Sequence, residues 1–400
     1  MQRPCDAPAE AALVLCPEAP YPTIGGGAMR TASLLEYLAR RYAVDLIVFR
    51  EPGAPDPRAA LPAARFRQVW VLELPPHVRA PAARALRNLR RLLLGRPPLN
   101  DRFAGFGRAI ARRLDQRRYR MALIEHFWCA PYARVLAPHA ERLVLDLHNV
   151  ESELHRRLAA AERFPVKLAF ARFGRCCRRL ERRWLPRFSL LLAASEEDAS
   201  RLAALAPATP AAVYPNAIPA APQPLRPEQE AIAFSGNLEY QPNLAAVRFF
   251  RSRIWPRLRQ QWPGLVWMVV GKNPQAVAPY LRGDERIRLV GPVEDALQTL
   301  AAAKVVVVPL LAASGTRFKI LEAWAAGRAV VSTRLGAEGL QARDGEHLVL
   351  ADEPEAFAQA VSALLASPER RAALGRAGRT LYEERFTWEA AWRRLRAAGL

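Results

Sequence analysis

Short apolar runs alternate along the chain with longer segments whose apolar residues recur every three or four positions. In the first half, Ala11–Cys16 reads as a strand and Gly25-Gly26-Gly27 as a loop. A helix is predicted from about Ala28 to Tyr42, with Leu34, Leu35 and Leu38 at helical spacing. Further strands are expected at Val44–Phe49, Val69–Leu72, Met121–Glu125, Leu143–Asp146 and Leu190–Ala194. The second half repeats the pattern. Its predicted strands are Ala231–Ser235, Val266–Val270, Ile287–Val290, Val305–Pro309, Ala329–Ser332 and His347–Leu350. Its predicted helices lie at about Asn243–Gln261, Asp295–Ala302, Thr316–Ala326, Pro354–Ala366 and Pro368–Arg385. Strands separated by helix-length stretches predict parallel sheets with right-handed crossovers.

Seven prolines between Pro207 and Pro227 oppose continuous helix or a central strand, so the inter-domain linker is placed there. The expected organisation is an α/β chain of two doubly wound domains facing each other across a cleft. Residues 1–214 form the first domain and 215–385 the second, with a helix in 386–400 packing back on the first. In such sheets ligands bind beyond the carboxyl ends of the strands.

A length of 400 residues suits two domains, and a hydrophobic fraction of 51% excludes general disorder. Cys5, Cys16, Cys129, Cys176 and Cys177 show no C-x-x-C spacing, which argues against zinc or a disulfide scaffold and for a reducing compartment. The start lacks the pattern of a signal peptide, and no apolar run is long enough to span a membrane.

The net charge of +21 is regional. Arg79–Arg120 holds thirteen arginines against Asp101 and Asp115, a net of +11, and Arg156–Arg187 carries a net of +9. A basic first domain predicts attraction to an anionic membrane surface, with Leu92–Leu94 or Phe170–Phe173 as inserting segments. Nucleic acid is the competing partner, but no nucleic-acid-binding motif accompanies the charge, so none is expected.

The most informative stretch is Val305–Gly327, where an apolar strand, a small-residue loop and a helix start follow one another. Free amides and the dipole at a helix start favour anions. Arg317 and Lys319 stand where they could neutralise a diphosphate, and Glu322 where it could accept hydrogen bonds from ribose hydroxyls. The same spacing also fits a surface helix with ordinary charges.

Here the sequence resembles glycosyltransferase family 4, whose members have the two-domain GT-B fold, and within it the exopolysaccharide-type sugar transferases. The resemblance rests on Gly315–Ala323 (GTRFKILEA) with Gly327, and on Gly25–Arg30, Asp146–Glu151, Ser195–Asp198, Pro215–Ile218 and Ser235–Phe250. Gly291-Pro292-Val293 and Thr333–Leu340 continue it, so it covers about residues 11 to 390.

The resemblance implies donor binding by Gly26, Gly27, Gly236, Asn237, Gly291, Val293, Ser314, Gly315, Thr316, Arg317, Lys319 and Glu322. It implies catalytic roles for His148, Arg317 and Lys319. Glu125, His126, Asn149 and Glu151 are candidates for acceptor contact; the last two fit equally well at a helix start. Two departures stand out. Ser314 occupies a position where many members carry glutamate, and the loop Gly236-Asn237-Leu238 opening the second domain holds no cation.

The implied activity is retaining transfer of a sugar from a nucleotide-sugar donor to a glycan or lipid-linked acceptor. No cofactor is expected, because the nucleotide-sugar is a co-substrate. Transfer is expected to be metal-independent, since no Asp-x-Asp triplet occurs. The expected location is cytoplasmic, peripheral at the inner membrane. The alternative is a GT-B-shaped glycan- or nucleotide-binding protein without catalysis, motivated by Ser314.

Overall fold

Two parallel sheets, of seven and six strands, organise the chain in a computed structural model that describes residues 10–23, 25–78, 80–162, 164–293, 295–311 and 318–400. Residues up to Tyr214, together with Arg394–Leu400, form one compact unit, and Pro215–Arg393 form the other.

The first sheet has the order β3-β2-β1-β4-β5-β6-β7. Its strands are β1 (Ala11–Cys16), β2 (Ala43–Arg50), β3 (Phe66–Glu73), β4 (Tyr119–Glu125), β5 (Ala140–Leu147), β6 (Leu190–Ala193) and β7 (Ala211–Val213). The central strands are buried on both faces because helices cover both sides, which explains their continuous apolar runs. Four helices of this unit matter below: α1 (Gly26–Ala39), α2 (Pro81–Leu94), α3 (Glu151–Ala161) and α4 (Val166–Trp184). On one side, Phe49 of β2 meets Phe103 and Phe106 edge-on at 5.4 and 5.1 Å.

The short strand β7 falls inside the proline-rich segment predicted as linker. It lies at the sheet edge and pairs only with β6, so the flanking prolines cost no ladder bonds.

The second sheet has the order β10-β9-β8-β11-β12-β13. Its strands are β8 (Ala231–Ser235), β9 (Val266–Val270), β10 (Ile287–Val290), β11 (Val305–Val308), β12 (Ala329–Ser332) and β13 (Val349–Leu350). The segment predicted as one helix over Asn243–Gln261 is instead α5 (Gln241–Phe249), a wide π turn at Phe250–Ile254, and α6 (Trp255–Gln261). Pro256 lacks the amide that would continue the ladder, and the wider turn absorbs that loss. Further along come α7 (Phe318–Ala325), α8 (Pro368–Arg385) and α9 (Trp388–Ala397). Trp255, Trp267 and Trp324 are fully buried in this core. The indole N–H of Trp255 donates to Asp284 and that of Trp324 to the carbonyl of His347.

The end of the chain belongs to the first unit, where Leu395 and Leu400 are buried. The Leu400 carbonyl accepts from Tyr37 Oη and Arg41 Nη1, and the Gly399 carbonyl from Arg142 at 2.7 Å.

Candidate active site

Each sheet reverses its winding beside its first strand, between β1 and β4 and between β8 and β11. The carboxyl ends flanking such a switch point open a crevice for ligands. The predicted site residues gather at these ends.

In the first unit, α1 begins at Gly26, directly after Gly25, with no side-chain cap and no acidic residue in its first turn. Its amides are therefore open to an anion. One turn further, Arg30 is buried and donates through Nε to Asp146 Oδ2 at 2.7 Å and through Nη2 to Asp146 Oδ1. Its Nη1 donates to the Tyr214 carbonyl, and its guanidinium lies 4.5 Å from the centre of the Tyr214 ring.

Asp146, one residue before the end of β5, and Glu125, the last residue of β4, are paired in register, and both approach His148 Nε2, at 3.4 and 2.8 Å. Burial alone would discharge the imidazole, but the two carboxylates outweigh it and raise its pKa to about 9. Burial likewise opposes ionisation of Asp146. The charges of Arg30 and His148 reverse that and hold its carboxyl well below the usual range. The result is a buried quartet of two cations and two anions, neutral overall. Burial, followed by the Asp146 charge, pushes Glu125 up, and the hydrogen bond and charge of His148 partly offset that rise.

The other face of His148 carries His126 at 3.7 Å between ring centres, and His126 stacks on Trp128 at 4.1 Å. Burial and then the neighbouring His148 charge keep His126 neutral. Trp128 Nε1 donates to Glu151 Oε1 at 3.0 Å, and burial pushes the Glu151 carboxyl up to about 7. Asn149 Oδ1 is buried without a hydrogen-bond partner. A β-carbon on Gly27 would stand 3.8 Å from His148 Nδ1, which places that nitrogen beside the start of α1.

Of the residues predicted to meet acceptor, Glu125 is fully buried and spends Oε2 on His148, while Glu151 spends Oε1 on Trp128. Among the described residues, Glu125, His126 and His148 form the group whose ligand-capable atoms lie within 4.8 Å of one another. Their charges are already balanced by Arg30 and Asp146, so the arrangement suits a held imidazolium.

In the second unit, Ser235 ends β8 and its hydroxyl donates to Glu322 Oε2 of α7 at 3.2 Å. Burial raises the Glu322 pKa, partly offset by Lys319 and by that hydrogen bond. The Lys319 ammonium lies 5.2 Å from the centre of the Phe234 ring, and a β-carbon on Gly236 would come within 2.7 Å of it. Thus Lys319, though distant in sequence, covers the loop that lacks a cation of its own. Ser314, Gly315, Thr316 and Arg317 lie outside the described residues.

Sequence reasoning missed Gly271. A β-carbon there would fall 1.8 Å from the Gly236 carbonyl oxygen, and one on Gly291 would fall 2.8 Å from that of Gly271. Three glycines at the ends of β8, β9 and β10 therefore bring bare backbone together; a glycine directly after the apolar run Val266–Val270 was the available signal. Asn243 was also missed. Its Nδ2 donates to the Asn237 carbonyl at 2.8 Å, and Asn273 donates to Asn237 Oδ1 at 3.1 Å, fixing the loop after β8. Val293, partly buried, follows Gly291 and Pro292 beyond β10.

With this geometry in place, residues 24–221 match the family described as Glycosyltransferase Family 4, and residues 229–367 the one described as Glycosyl transferases group 1. This chain is a family 4 glycosyltransferase. Sucrose-phosphate synthase from Thermosynechococcus elongatus superposes on the glycosyltransferase with a TM-score of 0.72 at 19% identity, covering 97% of this chain and 98% of that one. HepE from Anabaena, solved with UDP, gives a TM-score of 0.68 at 15% identity, covering 97% and 99%. WaaG, a glycosyltransferase of lipopolysaccharide biosynthesis, gives 0.64 at 14% identity, covering 95% and 98%. These likenesses establish the GT-B fold, with its two Rossmann-like domains. An uncharacterised 44.6 kDa protein from the cps region of Klebsiella pneumoniae is 25% identical over 136 residues. That match spans 32% of the glycosyltransferase chain and only 35% of the relative's length.

Proposed function

We propose that this glycosyltransferase takes a sugar from a nucleoside-diphosphate donor and passes it, with retention of anomeric configuration, to a glycan or lipid-linked acceptor. The setting would be bacterial polysaccharide or glycolipid assembly. The observation that carries the donor half is the convergence of Glu322, Ser235 and Lys319 on bare glycine backbone at the end of β8. HepE has been solved with UDP and with UDP-glucose, and TarM from S. aureus with UDP and α-GlcNAc-glycerol, which supports a uridine nucleotide as the first donor to try. The cps-region relative supports the polysaccharide setting.

In this reading Glu322 accepts from the ribose hydroxyls, while Val293 and Gly291 lie against the base. The bond between the anomeric carbon and the diphosphate oxygen breaks, and its electron pair leaves with the phosphate. The acceptor oxygen forms the new bond on the same face and gives its proton to that departing phosphate oxygen. Lys319, with Arg317 and the amides of Gly315 and Thr316, meets the growing negative charge; each well-placed donor of this kind contributes about 3–4 kcal/mol. His148 already carries its proton at neutral pH, so it serves as a hydrogen-bond donor to the transferring sugar and not as a base. Asn149 and the indole–Glu151 pair are assigned to the acceptor side.

The phosphate charge is met by side chains and amides, so the proposed reaction uses no metal and no further cofactor. No helix among the described residues is long and apolar enough to cross a membrane. With the basic first unit, this supports a peripheral protein at the cytoplasmic face of the inner membrane.

The test is release of UDP from a panel of UDP-sugars, followed by NMR of the product's anomeric coupling, with and without EDTA. Inversion at the anomeric centre would sink retention. Activity lost to EDTA and restored by magnesium or manganese would sink metal independence.

A further inference from the structure

Helix α2 is built inside out. At 100° per residue, Leu86, Leu89 and Leu93 share one narrow stripe, and an ordinary surface helix would turn that stripe to the core. Here those leucines are 69%, 52% and 68% exposed, while Arg91 on the other side is buried against Asp101 at 2.8 Å. No acidic residue lies anywhere on the helix.

A second exposed apolar segment lies close by in space. Arg172 of α4 donates to the carbonyls of Leu92 and Leu93 at the end of α2, the latter at 3.0 Å. One turn before it, roughly 6 Å along the helix axis, Leu168 is exposed, as are Val166, which opens α4, and Phe164 just ahead of the helix. The sequence pointed to Leu92–Leu94, which lies at the end of α2, or to Phe170–Phe173 as inserting segments. Phe173 is buried and its ring meets His155 edge-on, so the second expectation is corrected to residues 164–168.

Between α2 and the residues following it runs a groove of about 360 Å³ lined by Arg87, Arg90, Arg91 and Arg96 together with Leu86 and Leu94. Asp101 also lines it and pairs with Arg91 and Arg96, which leaves Arg87 and Arg90 as the cations for a phosphate. Arginines can pair a phosphate through two hydrogen bonds each, and the leucines at its lip are suited to acyl chain.

We infer that α2 and the turn leading into α4 form the surface by which the protein docks on an anionic bilayer, with the leucine stripe and Phe164 inserted and a lipid phosphate held in the arginine groove. The inference rests on the peripheral-membrane reading above and names the surface that performs it. Charge complementarity selects the occupant, since the segment Arg79–Arg120 alone carries a net of +11. The outward leucines favour lipid over nucleic acid, whose partners present base-stacking aromatics or base-reading side chains and no aliphatic stripe.

The experiment is co-sedimentation of the full-length protein with phosphatidylcholine vesicles, with and without phosphatidylglycerol, across a salt series. Electrostatic attraction should weaken as the Debye length shrinks from about 10 Å at 0.1 M to about 3 Å at 1 M. The binding that survives high salt should fall at least about tenfold in Leu86→Ser/Leu89→Ser/Leu93→Ser. Phe164→Ser, on the other element, should weaken it independently and covers the case in which the triple variant does not fold. Arg87→Gln/Arg90→Gln, both in the groove, should remove much of the salt-sensitive part.

If wild-type protein ignores anionic vesicles, the peripheral reading and this inference fall together. If wild type binds but the leucine and Phe164 variants bind equally well, this inference alone falls. A dimer that the triple variant dissociates, without vesicle binding, would make the stripe a self-association surface and overturn it. Tighter binding to a polynucleotide than to the vesicles would overturn it too.

Discussion

Glu125 and Asp146 stand directly opposite each other on adjacent parallel strands, and both carboxylates reach the same nitrogen of His148. Two buried anions side by side are unfavourable unless cations meet them, and Arg30 and the imidazolium do so. The fixed charge on His148 follows from strand register.

That arrangement makes the first prediction. Folding raises the His148 pKa from its ordinary 6.5 to about 9, so its contribution to stability is complete below about pH 6.5 and is lost as the pH climbs through 9. The difference is at most about 3 kcal/mol. Thermal melts across this range should show wild type losing more stability than His148→Gln. Parallel pH profiles for the two proteins would contradict a charged His148.

Glu151 predicts a loss of the same sign in a lower window, because burial favours its neutral form. Its carboxyl is held up to about 7, so the folded protein keeps a proton that the unfolded chain releases from pH 4.5 upward. Stability is therefore lost as pH rises from 4.5 to 7 and then levels off. Glu151→Gln keeps an acceptor for Trp128 and avoids that cost. It should be more stable than wild type at pH 8 by up to about 3 kcal/mol and indistinguishable at pH 4.

At the donor end, Glu322→Ala should weaken nucleotide binding by tenfold or more, the equivalent of about 1.5–3 kcal/mol for a hydrogen bond to a charged group. Lys319→Ala should lower turnover more than it lowers nucleotide affinity or melting temperature. Calorimetric titration with UDP and steady-state kinetics separate the two effects. Undiminished activity in an Arg317/Lys319 double variant would remove both from the diphosphate site.

Gly271→Ala tests the backbone contact at the end of β9. The added carbon would meet the Gly236 carbonyl at 1.8 Å, and the backbone angle of +150° is itself unsuited to a side chain. A loss above about 3 kcal/mol is expected, read as a fall in melting temperature or in soluble yield. Gly283→Ala, also at positive φ but with open space around it, should cost only about 1–2 kcal/mol. Similar losses at the two positions would mean that backbone angle alone, and not the close approach, decides.

How much of this was legible beforehand depended on whether the signal was local. Ala11–Cys16, Ala231–Ser235, Val266–Val270 and Ala329–Ser332 are strands over the residues predicted, because strands buried on both faces are continuous apolar runs. Ala211–Val213 escaped: an edge strand of small residues among prolines has neither the length nor the apolar character of a central one. The placement of Glu125 beside His148 needed the register of β4 against β5, which no single segment encodes. The Arg30–Asp146 pair joins residues 116 positions apart, so Arg30 gave no sign of its partner. Lys319 and Glu322 stood out because a strand, a small-residue loop and a helix start occur together within one short stretch.

The return of residues 394–400 to the first unit has a consequence for synthesis. During translation the second unit can be complete while the first still lacks Leu395 and Leu400, both of which pack into it. At 5–20 residues per second, the wait between Tyr214 and Arg394 leaving the ribosome's catalytic centre is roughly ten to forty seconds. Through that interval the nascent first unit exposes the surface that residues 394–400 will cover.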